Sequence, residues 1–161
     1  MVLGLILCGL CVLVGIGVAN SYKRKFTFIN DFYAFLNYVE LNLNFLQDNF
    51  YELLENKKTS FNSEFNGFLQ DFPESFDKRK EYILNFNNDK KLLKQEELDC
   101  FLNFFMQFGR LDCYSQLENI KQSKQLVEEI VKRTKEDSAK KGDLSKKLGL
   151  MCGLAVFIIV I

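Results

Sequence analysis

The charges of this chain are confined to its middle. All 21 Lys and Arg residues and all 21 Asp and Glu residues lie between Lys23 and Lys147, leaving two uncharged, apolar ends, Met1–Tyr22 and Leu148–Ile161. A chain partitioned in this way must place both ends in a core or in lipid, because neither is suited to water. Val2–Ala19 is an 18-residue run without a charge, and eleven of its residues are Leu, Ile or Val. As a helix it reaches roughly 27 Å, close to the ~30 Å hydrocarbon layer. At about −0.3 to −0.6 kcal/mol per such residue, insertion is favoured by roughly 3–6 kcal/mol before Gly and backbone terms. The rival reading is a cleaved leader with Gly17-Val18-Ala19 as the cleavage site. Against a leader, no basic residue precedes the run, and Lys23-Arg24-Lys25 follows it, holding the next segment in the cytoplasm.

Leu148–Ile161 is shorter, about 21 Å as a helix, which alone suits a buried core helix. Extension back through Leu144-Ser145-Lys146-Lys147 gives 18 residues, with lysines able to reach the headgroups. With Ile161 closing the sequence, no polar segment is expected to cross, so a second membrane helix is the favoured reading. The basic clusters Lys23–Lys25 and Lys140-Lys141-Lys146-Lys147 both flank the inner side of their apolar segments. That arrangement predicts a cytoplasmic central region with both ends reaching the outer face. The expected division is an anchor at 1–22, a helical bundle at 23–143 and a second anchor at 144–161. In a reducing compartment the five Cys raise no expectation of disulfides.

Small residues recur along the first anchor at Gly4, Cys8, Cys11, Gly15 and Ala19, lining one helix face. The second anchor carries Gly149-x-x-x-Gly153 with Cys152 beside it. Gly4, Gly15, Gly149 and Gly153 are therefore candidates for helix packing, on each other or on a partner's membrane helix. The competing reading is that Gly is simply frequent in membrane helices.

Between the anchors the chain reads as helices nearly throughout, an all-α class. Phe28, Phe32, Phe35, Leu36, Val39, Leu43, Leu46, Phe50 and Leu53 form a stripe over about 27–56, and Lys57-Lys58-Thr59-Ser60 reads as a connection. A short helix over about 61–70 carries Phe61, Phe65, Phe68 and Leu69. Asp71, Pro73 and Glu74 form a start signal for a third helix running to about Phe86, and Asn87-Asn88-Asp89 reads as a loop. A fourth helix, about 92–108, presents Leu98, Phe101, Leu102, Phe105 and Phe108 and ends at Gly109. A fifth runs from about Cys113 to Lys140, capped by Asp112, with Leu117, Ile120, Val127, Ile130 and Val131 on one face. Gly142-Asp143 marks a break before the second anchor. The core is expected to be filled largely by Phe.

Much chemistry is excluded. Without His there is no His-based triad, no His metal site and no ordinary general base near neutral pH. Zero net charge argues against nucleic acid. Cys8-Gly9-Leu10-Cys11 has redox or zinc spacing but sits inside an apolar run, and Cys100 with Cys113 cannot complete a zinc site. The pairs Glu96-Glu97 and Glu128-Glu129 splay apart on a helix and read as solvated surface. No glycine-rich phosphate loop is present. The expectation is a non-enzyme with no cofactor, no metal and no small-molecule substrate.

The stretch from Lys140-Lys141-Gly142-Asp143 through Leu148-Gly149-Leu150-Met151-Cys152-Gly153-Leu154 resembles the tail of the stage III sporulation protein AB family. Leu102-x-x-Phe105-x-x-x-Gly109-x-x-Asp112-x-x-x-Gln116 is similar to that family's helix corner, and Val39-Glu40-Leu41-Asn42-Leu43 to its Leu-Glu stretch. The layout also agrees. The resemblance implies a cytoplasmic bundle like the F-protein domain of type II secretion platforms. It further implies a platform role in the channel apparatus joining mother cell and forespore, in the membrane around the forespore, with a secretion-type ATPase as partner. Within the corner, Arg110, Leu111, Asp112 and Gln116 are the candidate contact residues, since a glycine-ended turn exposes Arg110 and Leu111. Equally, Asp112 and Gln116 would serve to cap and brace the helix. Two other functions stay open: a small membrane adaptor of the bacterial envelope unrelated to sporulation, and a secreted helical protein with a removed leader.

Overall fold

The computed structural model describes residues 2–45, 61, 63–110 and 113–160. Among them every regular element is a helix: α1 (Val2–Phe45), α2 (Ser63–Gln70), α3 (Phe76–Lys90), α4 (Gln95–Gln107) and α5 (Cys113–Val160). The expected stripe positions Leu46, Phe50 and Leu53, the connection at 57–60, and both Leu111 and Asp112 lie outside the described residues. The chain forms two compact units, Met1–Phe26 with Lys132–Ile161, and Thr27–Val131. These units follow contacts, whereas the segments 1–22, 23–143 and 144–161 follow composition.

The Thr27–Val131 unit is built on phenylalanine. Phe28, Phe32 and Phe35 of α1, Phe65 and Phe68 of α2, and Phe101, Phe104 and Phe105 of α4 with Phe108 beyond it are all buried. Their rings meet edge-on, tilted or stacked, with centroids 4.7 Å apart for Phe32–Phe101 and Phe101–Phe105, and 4.9 Å for Phe68–Phe101; Phe35 and Phe105 stack at 10°. Each buried Phe contributes about 1.5–3 kcal/mol by leaving water, and favourable ring pairs add about 0.5–1.5 kcal/mol. The remaining core positions, Ile29, Leu36, Val39, Leu43, Leu69, Ile83, Leu92, Leu98, Ile120 and Val127, are aliphatic. Across this unit Lys124 of α5 binds Glu40 of α1 at 2.6 Å, both side chains mostly shielded.

Four local expectations are corrected. The third helix starts at Phe76, not near Asp71: Phe72 packs on Phe105 (5.0 Å) and Tyr82 (6.0 Å), which keeps 71–75 out of a helix, and Ser75 becomes the N-cap residue. The supposed loop Asn87-Asn88-Asp89 is helical. Asn87 instead ends α3 by gripping the chain beyond it, its Oδ1 accepting from Leu93 N–H (2.8 Å) and its Nδ2 donating to Leu93 O (3.2 Å), while Lys91 turns left-handed at φ 51°. Glu97 is buried, not solvated, because its Oε2 accepts the Lys94 N–H at 2.8 Å and caps α4. Gly142-Asp143 is no break. The Ser145 hydroxyl donates to Lys141 O (2.8 Å) across it within α5, and buried Gly142 lies beside Ala19, where an added Cβ would stand 3.9 Å from the Ala19 Cβ.

In the other unit the apolar ends of α1 and α5 run antiparallel. α1 is long and apolar enough to cross a membrane, by length and composition, over Gly4–Leu43. It turns Leu5, Leu10, Leu13 and Val14 outward, and the end of α5 likewise exposes Leu148, Leu150, Met151, Leu154, Ile158 and Ile159.

Candidate functional site

Two places in the chain carry the candidate residues. The first is the seam between the apolar helix ends. A Cβ added at Gly15 would stand 2.7 Å from Ser145 O and 3.1 Å from Gly149 Cα. One added at Gly149 would meet Cys11 O at 2.9 Å, and one at Gly153 would meet Cys8 O and Sγ at 3.0 Å. The two backbones thus approach so closely that any side chain larger than hydrogen must push them apart. The small-residue face of α1 therefore packs on Gly149 and Gly153 of the same chain. Gly4 is buried as well. Beside the seam an open apolar groove of about 420 Å³ runs between Leu10, Val14, Val18, Leu148 and Cys152.

The second place is the corner between α4 and α5. Here α4 ends at Gln107, Phe108 is extended (φ −62°, ψ 123°), and Gly109 takes φ 82°, a conformation that a side chain resists. The Gly109 N–H, which a longer helix would give to Phe105 O, goes instead to Gln116 Oε1 at 3.3 Å. That leaves Phe105 O for Arg79. This fully buried arginine of α3 donates through Nη1 to Phe105 O (3.1 Å) and Phe108 O (2.7 Å), and through Nη2 to Glu74 O (3.5 Å). A cation thus sits at the negative end of the α4 dipole, on the carbonyls that the helix end leaves open. Its guanidinium also lies over the rings of Phe76 (3.8 Å) and Phe72 (5.2 Å).

Of the candidate corner residues, Arg110 is exposed, with its guanidinium 5.2 Å from the Phe76 centroid. Gln116 is buried and braces the turn, so it presents no contact surface. Leu111 and Asp112 lie outside the described residues. Arg79 carries this corner, yet the reading of the sequence passed it over. The available signal was a single charge standing on the apolar stripe Phe76, Arg79, Ile83, Phe86.

Titration here reflects burial. Tyr82 donates its hydroxyl to Phe68 O at 2.8 Å, and burial, with Asp71 adding repulsion, pushes its pKa up to about 12. Burial likewise raises the Cys100 thiol, the opposite of what a reactive thiolate needs.

No curated protein and no solved structure matches the chain. The family model described as stage III sporulation protein AB matches residues 1–161, the whole length, with both apolar ends and the corner inside the match. The chain belongs to the stage III sporulation protein AB family, and its role is sporulation-related.

Proposed function

We propose that this protein is a non-enzymatic membrane platform component of the channel or secretion-like apparatus that joins mother cell and forespore during endospore formation. The apolar ends of α1 and α5 form a hairpin in the bilayer, and the Phe-filled unit lies on the cytoplasmic, mother-cell side. There it meets a secretion-type ATPase and other membrane components of the same assembly. The observation that most supports this reading is the seam at Gly15 and Gly149: two helix ends touch backbone to backbone while their large apolar side chains point outward. In water such a surface would be a liability, whereas in lipid it is the ordinary exterior of a packed helix pair. The zero net charge and the absence of His fit a scaffold better than an enzyme or a nucleic-acid binder.

Co-purification from sporulating cells, with the membrane segments retained, tests the proposal. The ATPase and the other membrane components of the assembly are expected to accompany the chain, and its transcription should be confined to the mother cell during engulfment. Constitutive expression in vegetative cells, with envelope proteins as the only companions, would contradict it.

A further inference from the structure

The corner holds an arginine in a state ready for use. Arg110 is exposed, and among the described residues no carboxylate pairs with it. Its guanidinium rests over the Phe76 ring, and the guanidinium of Arg79, tied to two carbonyls of the same corner, fixes that ring from within. A guanidinium beside a ring can still present edge N–H groups, which grip a carboxylate with two parallel hydrogen bonds. Tyr114, 80% exposed in the first turn of α5, lies four residues on in the chain. An exposed arginine held against a half-buried aromatic ring has the composition of an interface hot spot.

We propose that Arg110, with its guanidinium over the Phe76 ring, is the point where an acidic segment of a partner protein docks; this rests on the platform reading above. A phosphate backbone fits less well, because it calls for a basic stripe and this chain has no net charge to supply one. Arg79 and Gln116 act as positioning residues, holding the ring and the turn.

The test uses the full-length chain in sporulating cells, with p-benzoylphenylalanine placed at Tyr114 or, as an exposed control on α1, at Leu41. Light should join position 114 to a partner of the assembly, and mass spectrometry should place the link within an Asp- or Glu-bearing segment. Arg110→Glu should reduce that yield at least tenfold at unchanged helix content. Arg110→Lys, which keeps charge but loses the fork, should fall between, and reversing the partner's acid to Lys should restore capture by Arg110→Glu. Capture at Leu41 but not at Tyr114 would overturn the docking site and leave the platform reading standing. Capture at Tyr114 that is indifferent to Arg110→Glu, or that yields only lipid or a second copy of this chain, would also overturn it. Absence of any assembly member at either position would sink both.

Discussion

At the scale of the residue, Arg79 shows how a buried charge can be structural. Backbone carbonyls answer it within the corner, through Phe105 O and Phe108 O. Removing it strands two buried acceptors and leaves a cavity, each acceptor costing about 1–3 kcal/mol. Arg79→Met is therefore expected to lower stability by roughly 3 kcal/mol or more, and Arg79→Lys by less, as read from denaturant midpoints. Tyr82 gives a pH signature. Its folded pKa is raised, so the neutral hydroxyl is the form that the fold favours. The stability it confers is complete below about 10, the ordinary value, and is lost as pH rises from there towards about 12. The melting midpoint should fall across that window, and Tyr82→Phe should flatten the fall. What escaped the sequence at this scale were residues whose role depends on a distant partner: Arg79 on the α4 carbonyls, Glu97 as a buried cap, Asn87 holding Leu93.

At the scale of the element, hydrophobic period was a reliable guide and punctuation was not. The Phe stripes of α1, α2 and α4 could be read from spacing, and Phe28, Phe32, Phe35, Phe65, Phe68, Phe101, Phe105 and Phe108 are all buried. Boundaries failed where a tertiary contact outweighed a local signal. Phe72 delays α3 by packing on Phe105, and Gly142 sits inside a continuous helix in ordinary contact with Ala19. Glycines therefore divide into two kinds. At Gly15 and Gly149 the facing backbone leaves no room, so Gly15→Leu or Gly149→Leu should cost about 1–3 kcal/mol of hairpin stability and lower the thermal midpoint in detergent. At Gly9 and Gly17 nothing lies within 4 Å, and Ala there should be tolerated or stabilise by about 0.5–1 kcal/mol through helix propensity. If all four substitutions behaved alike, the seam would not be what holds the helix ends together.

At the scale of the whole molecule, the uneven distribution of charge is what made the chain legible. It set apart two apolar ends, and the all-α character followed from the apolar stripes at helical spacing between them. α1 is confirmed as long and apolar enough for a membrane span, while the role of the second end depends on the proposal that both ends share the bilayer. Membership of the stage III sporulation protein AB family covers the full length, so the Phe-filled unit and the apolar ends belong to one sporulation protein and not to a fusion of unrelated parts. The orientation of that protein decides most of what is proposed for it, because an ATPase can meet the corner only from the cytoplasm. Tyr114→Cys, in a chain expressed in vegetative cells with its own cysteines replaced by serine, reports that orientation through a maleimide that cannot cross membranes. The account predicts no labelling at position 114 in intact protoplasts and full labelling once the membrane is opened; labelling in intact protoplasts would contradict it.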